Sequence, residues 1–371
     1  MLKPLPDYPW DQMVPFATRA RAHVGGIVDL SIGSPADPTP DVIRVALAAA
    51  TDAHAYPQTS GTPALAAAIT DWYARRRGVP GLTHAQVLPT IGSKELVALM
   101  PFMLGFGEGD TIVHPLAAYP TYAIGAAMAG AEALACDDPA LWPASTKLIW
   151  LNSPGNPDGR VLSVAELRAS VARARELGAL IVSDECYAEL GWDAPWDAVS
   201  GAGTAIPSIL DPRVTDGDTR NVLAIYSLSK QSNMAGYRAA FAAGDADVLA
   251  RLLTVRKHAG LMLPAPLQAA MIAALGDSHH VDVQREIYRA RRAVLLPALL
   301  DAGFRIDHSE AGLYLWATEG RPAWDSIDWL ASRGILAGPG PFYGDHFDEH
   351  VRFSLTATDE RVAAAAARLR A

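Results

Sequence analysis

Short apolar runs alternate with helix-length segments through the middle of the chain. The runs at residues 87–91, 147–151, 179–183 and 221–226 have the length of buried strands. Between about residue 60 and residue 260, the segments that separate them have helical patterns. Alternating strands and helices of this kind predict an α/β protein with a doubly wound sheet.

Helix boundary signals support this pattern. The segment 62–77 begins with Thr-Pro and ends before Gly78, which is typical of a helix with proline in its first turn and glycine after its end. Further helices are predicted at 166–177, 245–258 and 281–302. The last of these is expected to link a large domain to a smaller one. The smaller one would contain 312–316, 335–337, a strand around Arg352 and a closing helix at 359–371.

Polar side chains follow the ends of the predicted strands. Lys230 comes shortly after the run 221–226, Asp184 directly follows 179–183, and Asn156 lies in the turn-rich segment after 147–151. The carboxyl ends of parallel strands meet at one edge, where open α/β sheets bind ligands. We therefore expect these three side chains to share a binding site.

The residues around Lys230 indicate the chemistry of that site. A Schiff base needs a lysine that can lose its proton, and a neighbouring positive charge or partial burial favours this. Lys230 lies in the motif Ser227-Leu-Ser229-Lys230, and Arg238 follows eight residues later. After the run 87–91, Gly92-Ser93 opens a helix whose free amides favour an anion. Together these features predict a pocket for an aldehyde cofactor with a phosphate, pyridoxal phosphate.

Composition limits the function without deciding it. The chain has 371 residues, half of them hydrophobic, and a formal net charge of −9. This length is enough for about two domains, and the acidic balance argues against nucleic-acid and anionic-membrane partners. The amino terminus predicts neither a signal peptide nor a transmembrane helix.

Cysteine and histidine positions argue against metal binding. Cys136 and Cys186 give no disulfide framework or metal-ligand spacing, which favours the reducing cytoplasm. The ten histidines show no metal-ligand motif. His279 and His280 follow Gly-Asp-Ser and are predicted to lie in a loop.

The order and spacing of these motifs resemble the class I/II aminotransferases of the aspartate aminotransferase-like fold. The resemblance extends from Leu30-Ser-Ile-Gly33-Ser-Pro to Val351-Arg352-Phe353-Ser354. It implies the type I fold of pyridoxal-phosphate-dependent transferases, with a doubly wound, mostly parallel seven-stranded sheet domain and a smaller α+β domain. It also implies that the first forty residues pack with the carboxyl-terminal part. We therefore expect a large domain at 41–275 and a small domain formed by 1–40 and 276–371.

The same resemblance implies cofactor-binding roles. Lys230 would carry pyridoxal 5′-phosphate as a Schiff base, Asp184 would pair with its pyridine nitrogen, and Asn156 and Tyr187 would hydrogen-bond its phenolic oxygen. Tyr119 would stack on the ring. Lys230, Asp184 and Tyr187 are the predicted catalytic residues. The predicted phosphate-binding residues are Ser93, Lys94, Ser227, Ser229 and Arg238, with Tyr56 from the partner subunit of a homodimer.

Substrate binding is expected at Gly33, Asn156 and Arg352. Arg352 would hold the α-carboxylate by a two-pronged contact that a lysine cannot reproduce. An ionised Asp184 keeps the pyridine nitrogen protonated, so that the ring accepts electrons from the substrate α-carbon. Lys230, once displaced by the substrate amine, can move a proton as a general acid and base. Two half-reactions follow, so ping-pong kinetics are expected.

Several candidates also have a purely structural interpretation. Asp184 could close a strand or cap a turn, Tyr187 could be a core aromatic residue, and Asn156 could serve only its own turn.

Three other roles have their own alternatives. Tyr122 lies close to Tyr119 and could take its place, and Ser229 could support the loop without touching phosphate. The role of Tyr56 depends on a dimer that the sequence does not display.

A finer resemblance concerns the substrate. Segments 88–97, 229–238, 255–260 and 303–316 look like the actinobacterial-type N-succinyldiaminopimelate aminotransferases. The implied reaction is N-succinyl-LL-diaminopimelate:2-oxoglutarate transamination, with glutamate as amino donor, in diaminopimelate and lysine synthesis. Such acids need a second cationic group beyond Arg352, and the candidates, each of which could equally be a surface charge, are Lys94, Arg256 and Lys257. Asp158 departs from the family pattern and is expected to alter its turn slightly while leaving the role of Asn156 intact.

Other functions remain open at this point. The same scaffold supports aminotransferases of the aspartate or aromatic type and carbon–sulfur β-lyases, and the fold alone does not separate them. Aminotransferase-like modules also act as ligand-sensing domains of transcription regulators. Those regulators carry a DNA-binding domain, for which this acidic chain has no room before Gly33.

Overall fold

The computed structural model describes residue 5 and residues 9–197 and 205–371. Within these residues the strands are β1 (Val28–Asp29), β2 (Val87–Ile91), β3 (Thr111–His114), β4 (Glu132–Ala135), β5 (Thr146–Asn152), β6 (Leu180–Asp184), β7 (Val222–Ser227), β8 (Ala239–Gly244), β9 (Arg305–Ile306), β10 (Tyr314–Thr318), β11 (Ile335–Leu336), β12 (Gly338–Pro339) and β13 (His350–Ser354).

The α-helices alternate with these strands in the first two thirds of the chain. Over the same described residues they are α1 (Val14–Arg21), α2 (Asp41–Ala49), α3 (Pro63–Arg76), α4 (Ser93–Met103), α5 (Thr121–Ala129), α6 (Val164–Leu177), α7 (Pro212–Thr215), α8 (Leu228–Gln231), α9 (Ala246–Ala259), α10 (Ala265–Gly276), α11 (His279–Asp301), α12 (Ala323–Ser332) and α13 (Asp359–Leu369).

Local sequence signals explain where the helices begin and end. Thr62 caps α3, since its hydroxyl oxygen accepts a hydrogen bond from the Leu65 amide at 3.2 Å. Ser163 and Glu166 form a capping box, so α6 begins two residues before the predicted boundary, and Gly178 ends it in the left-handed conformation.

The prediction that His279 and His280 lie in a loop is wrong. Both belong to the first turn of α11. The Asp277 carboxylate accepts from the amides of both residues, at 3.0 Å and 3.3 Å, and so starts the helix earlier than expected.

Seven strands form the large sheet, in the order β2-β8-β7-β6-β5-β3-β4. Strand β8 is antiparallel to both of its neighbours, and the other pairs are parallel. The predicted mostly parallel sheet is therefore confirmed. Its register places Asn152 opposite Asp184 and Asp184 opposite Ile225, so the carboxyl ends of β5, β6 and β7 lie side by side.

Apolar side chains cover both faces of this sheet. Ile149 and Ile181 belong to a core packed against helices on one face, while Leu148 and Val182 belong to a core on the other face. This alternation follows from the period of two along a strand. Burial on both faces also explains why the strands appear in the sequence as continuous apolar runs.

A second, smaller unit has its own core and its own sheets. Strands β12-β13-β10-β9 form an antiparallel sheet, and β1 pairs in parallel with β11, so the segment before α2 is joined to the carboxyl-terminal part. We keep the division into residues 41–275 and residues 1–40 with 276–371 as a proposal. No helix of the described residues is long and apolar enough to cross a membrane.

Two buried ion pairs join the last turn of α3 to the segment after β6. The Arg77 Nη2 atom lies 2.8 Å from Glu185 Oε2, and Arg76 Nη2 lies 2.5 Å from Glu189 Oε2. The other Glu185 oxygen accepts from the Ser208 hydroxyl and the Ile209 amide. Because Glu185 directly follows Asp184, these contacts hold the end of β6 in place.

Glu185→Gln should lower the free energy of unfolding by about 3–5 kcal/mol, because it leaves the buried Arg77 guanidinium without a carboxylate. Asp218→Asn is the matched control, since it removes the partner of Arg220 in a pair whose side chains are 36% and 86% exposed. Its expected cost is less than about 1 kcal/mol. Urea denaturation of the cofactor-free protein measures both. Equal costs would contradict a special role of the buried pair.

Candidate active site

Polar residues from neighbouring strands meet at the carboxyl edge of the large sheet. Asp184 ends β6, Ser227 ends β7, and Lys230 lies in the short helix α8 that follows. The Asn152 side chain at the end of β5 donates to the Asp184 carbonyl at 2.9 Å and accepts from the Asn156 amide at 2.8 Å. The structure thus brings the three predicted strand-end residues together.

Asp184 is a buried carboxylate at this edge. Its Oδ2 atom accepts from the Tyr122 hydroxyl at 3.1 Å, and its Oδ1 atom accepts from the Cys186 amide at 3.2 Å. Burial raises the pKa of Asp184, and these hydrogen bonds only partly oppose the rise. Among the described residues no cation pairs with Asp184. A bound group with a positively charged ring N–H would supply the missing charge.

Tyr122 is a site residue that the sequence left only as an alternative. Its ring stacks on Trp150 at 5.3 Å, and the Tyr119 ring meets it edge-on at 6.0 Å. The spacing of three residues between the two tyrosines was the available signal, but it could not show which hydroxyl reaches Asp184. The predicted stacking of Tyr119 on the cofactor ring stays a prediction.

Lys230 is half-buried and directed toward the small unit. Its Nζ atom donates a hydrogen bond to the Gly33 carbonyl oxygen. At Gly33 a Cβ atom would lie 2.1 Å from the Tyr314 hydroxyl oxygen, so only glycine leaves room for that side chain. The sequence predicted Gly33 as a substrate neighbour, and the structure places it between Lys230 and Tyr314.

An anion site is built around Gly92, which precedes α4 with φ +74°. A Cβ atom here would lie 2.2 Å from Arg238 Nη2, so the guanidinium lies directly against the glycine backbone. The free amides of α4 begin at Ser93, and the Ser93 hydroxyl lies 3.7 Å from the Cys186 sulfur. Helix amides and a guanidinium together suit a phosphate.

The remaining predicted phosphate residues differ in their surroundings. Ser227 and Ser229 hydrogen-bond to each other through their hydroxyls at 2.8 Å. Lys94 is exposed, and its Nζ atom lies 5.9 Å from the centre of the Tyr119 ring. Tyr56 is 95% exposed in this chain. The phosphate roles of these residues stay predictions.

Arg352 is a buried guanidinium that has no acidic partner among the described residues. Its Nη1 atom donates to Asn156 Oδ1 at 2.7 Å, and its Nη2 atom donates to the Ser31 carbonyl at 2.7 Å. The Tyr314 and Tyr343 rings lie against it at 3.9 Å and 4.7 Å. Its Nε atom has no hydrogen-bond partner within the described part of the chain. Such a group is suited to a ligand carboxylate.

Asn156 and Tyr187 contact other site residues in this structure. Asn156 accepts from Arg352, and the Tyr187 hydroxyl lies 3.3 Å from the Tyr314 hydroxyl. Their predicted contacts with the phenolic oxygen stay predictions. Sequence reasoning missed Tyr314 and Tyr343, because neither belongs to a strand-end motif of the large sheet.

The suggestion that Arg256 contacts the substrate is not supported. Arg256 is fully buried, and its Nη1 atom donates to Glu95 Oε1 at 2.6 Å. The other Glu95 oxygen accepts from the Ile91 amide. Arg256 therefore braces the turn that carries Gly92, while Lys257 is exposed near the end of α9.

Comparison with known proteins identifies the family. The family described as aminotransferase class I and II matches residues 26–369. The chain belongs to this aminotransferase family. The aminotransferase is 53% identical to the 4-dedimethylamino-4-oxo-anhydrotetracycline transaminase of Streptomyces rimosus, over 99% of this chain and 100% of that protein. It is 55% identical to a probable aminotransferase of Mycobacterium tuberculosis, over 98% of this chain and 85% of that protein.

Solved structures agree with this assignment. A probable N-succinyldiaminopimelate aminotransferase from Thermus thermophilus matches with a TM-score of 0.86 at 28% identity, over 97% of this chain and 99% of that chain. The predicted fold class, enzyme class and cofactor are therefore confirmed: the protein is a pyridoxal-phosphate-dependent aminotransferase. Its residues fit that cofactor, since Asp184 lacks a cation and Arg238 lies beside the amides of α4.

Gly92→Ala should weaken pyridoxal phosphate binding at least about tenfold, because the new methyl group displaces the Arg238 guanidinium from the phosphate. Gly105→Ala is the matched control. Gly105 has a similar φ of +79°, but a Cβ atom there would meet nothing within 4 Å. Both variants place a side chain at a positive φ, so an absorbance titration that gives equal cofactor affinities for the two would argue against the anion site.

Proposed function

We propose that this aminotransferase moves an amino group from glutamate to N-succinyl-2-amino-6-oxopimelate, a step of diaminopimelate and lysine synthesis. The proposal that the substrate is an amino acid rests on one observation: Arg352 and Lys230 both contact the segment that follows β1. Arg352 donates to the Ser31 carbonyl and Lys230 to the Gly33 carbonyl, two residues along the same segment. The carbonyls of two residues spaced in this way lie within about 7 Å of each other. A substrate carboxylate bound to Arg352 would therefore place the substrate α-carbon toward the Lys230 amine.

Each residue then has a defined task. Bound pyridoxal phosphate supplies an electron sink for negative charge at the substrate α-carbon. Asp184 holds the proton on the ring nitrogen, and the Lys230 amine removes and returns the α-proton. Asn156 and Tyr187 would donate toward the phenolic oxygen. The phosphate would lie among Ser93, Lys94, Ser227, Ser229 and Arg238, with Tyr56 of a partner subunit.

The acceptor is proposed from more distant similarity. The Thermus thermophilus structure bears the name of an N-succinyldiaminopimelate aminotransferase, and four sequence segments resemble that group. With Arg256 paired to Glu95, Lys94 is the exposed cation near Tyr119 that can meet a distal carboxylate. A contact between Lys94 and the distal carboxylate would compete with the predicted contact between Lys94 and the cofactor phosphate.

A second acceptor is favoured by one specific observation. The Streptomyces rimosus relative, 53% identical over its whole length, is named for a 4-oxo-anhydrotetracycline substrate. A polycyclic ketone of that kind has no distal carboxylate, so it does not require Lys94. Removal of Lys94 should therefore raise the KM for the succinylated oxo acid and leave the KM for the polycyclic ketone unchanged.

We also propose a cytoplasmic homodimer that uses only small-molecule amino acids and 2-oxo acids as substrates. Both cysteines are free thiols, which suits a reducing compartment. Tyr56 is almost fully exposed in one chain, as expected of a side chain that completes a site in a second copy.

Glutamate should change the absorbance of the bound cofactor, and 2-oxoglutarate should restore it, because each half-reaction leaves the amino group on a different carrier. Lys230→Ala should abolish this cycle. Lys147→Ala, which removes an exposed lysine on β5, should not. Rapid spectrophotometry of the enzyme loaded with pyridoxal phosphate measures the cycle. Double-reciprocal plots of the steady-state rates should give parallel lines.

Both acceptors should then be offered to the glutamate-treated enzyme. Restoration of the absorbance by the succinylated oxo acid, with a KM that rises in Lys94→Ala, would support the main proposal. Restoration by the tetracyclic ketone alone would favour the second acceptor. A response to 2-oxoglutarate alone would reject both acceptors and leave the aminotransferase activity intact.

Arg352→Lys should raise the KM for glutamate and for 2-oxoglutarate by about 10-fold to 100-fold, because an ammonium group replaces a two-pronged contact with a single one. The affinity for pyridoxal phosphate should change much less, since Arg352 reaches the predicted cofactor-binding residues only through Asn156 and does not contact the anion site. Unchanged KM values for both acids would show that the α-carboxylate binds elsewhere.

A further inference from the structure

Two buried tyrosine hydroxyls face each other beside Lys230 and Arg352. The Oη atoms of Tyr187 and Tyr314 lie 3.3 Å apart, and the rings meet edge-on at 5.7 Å. Both side chains are buried, with residue exposures of 7% and 3%. Each hydroxyl has one proton to donate. One proton therefore lies between the two oxygens, and the other is left for a further acceptor.

The position of Tyr314 is set by its neighbours on both sides. The Arg352 guanidinium lies 3.9 Å from the centre of its ring. On the other side, its hydroxyl occupies the space that a side chain at residue 33 would need, since a Cβ atom on Gly33 would come within 2.1 Å. The ring therefore has little freedom to turn away from Tyr187.

Nearby charges decide which hydroxyl donates. Burial raises the pKa of Tyr314, but the positive charges of Arg352 and Lys230, together with the hydrogen bond to Tyr187, outweigh burial and hold that pKa below its ordinary value. Burial keeps the pKa of Tyr187 well above its ordinary value. At 3.3 Å either oxygen can donate, and the more acidic hydroxyl is the better donor, which favours donation from Tyr314 to Tyr187. The other titratable groups that interact with this pair are Cys186, Asp184, Tyr119, Tyr288 and Tyr343.

We propose that Tyr314 is a positioning residue of this aminotransferase, whose hydroxyl donates to Tyr187 and so directs the Tyr187 proton toward the phenolic oxygen of pyridoxal phosphate. This inference rests on the role proposed above for Tyr187. It adds a residue of the small unit, on β10, to the groups that act on the cofactor. The same ring covers Arg352, so one side chain contacts both the carboxylate-binding and the cofactor-binding groups.

The direction of the hydrogen bonds determines whether loss of the Tyr314 hydroxyl raises or lowers the pH midpoint of the cofactor absorbance. A donor at the phenolic oxygen stabilises its ionised form, and a second donor behind it strengthens the first. The intact pair therefore lowers the pH at which the absorbance of the bound cofactor changes. Loss of the Tyr314 hydroxyl should raise that midpoint.

The test is a pH titration of the cofactor absorbance in the loaded enzyme. Tyr314→Phe should raise the midpoint by about half a pH unit or more, and Tyr187→Phe should raise it further. Tyr73→Phe is the matched control, because it removes a buried hydroxyl that has no partner within the described residues. Its midpoint should equal that of the unmodified enzyme.

A kinetic readout separates the hydroxyl from the ring. Tyr314→Phe keeps the ring over Arg352, so the KM for glutamate should stay close to that of the unmodified enzyme while kcat falls. Tyr314→Leu removes the ring as well and should raise that KM. A rise in KM for Tyr314→Phe without a shift of the midpoint would overturn the proposal.

The outcomes also separate this inference from the one it rests on. A raised midpoint in Tyr187→Phe with none in Tyr314→Phe would reject the role of Tyr314 and keep that of Tyr187. An unchanged midpoint in both would reject both roles. The response of the unmodified enzyme to glutamate reports on the proposed transamination independently of either result.

Discussion

A buried carboxylate with no cation beside it is the constraint on which the site depends. Asp184 lies at the carboxyl end of the central strand of the large sheet, where desolvation disfavours its charged form, and the described residues offer it only hydroxyl, thiol and amide donors. The compensating charge has to come from a ligand. A protonated pyridine ring would meet this need and would stabilise negative charge on a substrate carbon. Arg352 presents the complementary case, since its buried guanidinium has no carboxylate partner in the described chain, and a substrate carboxylate would provide one in the proposed function.

The fold brings the Arg352 guanidinium and the Lys230 amine together through one short segment. The segment that follows β1 carries the Ser31 and Gly33 carbonyls, which accept from Arg352 and Lys230. It is anchored to the small unit, because the Ser354 amide donates to the Leu30 carbonyl at 2.8 Å. The amine comes from the large sheet and the guanidinium from β13. The site therefore exists only where the two units meet, and its geometry depends on how the amino-terminal segment packs against the carboxyl-terminal one.

Much of this arrangement could be predicted from the sequence. The strands that end in Asp184, Asn152 and Ser227 are continuous apolar runs, because both faces of the sheet are buried, and such runs are visible without a structure. Their polar ends had to meet once the strands were parallel. The start of α11 was not predicted, because the carboxylate of Asp277 accepts from two backbone amides that a loop would have left free. Arg256 was suggested as a substrate contact, whereas its partner Glu95 lies 161 residues away in sequence and could not be inferred.

The sequence by itself indicated four strands of the large sheet, several of the helices, the polar residues after the strand ends and a phosphate-bearing aldehyde cofactor, because these follow from local periodicity and from the chemistry of single side chains. Only the tertiary structure decided that Tyr122 reaches Asp184, that Gly33 makes room for Tyr314, and that Arg352 lies between two tyrosine rings. These contacts join residues from different elements, 62 residues apart in the case of Tyr122 and Asp184. These contacts depend on distances of a few ångströms, which are set by the packing of the two cores. Such distances produce no periodic pattern in the sequence.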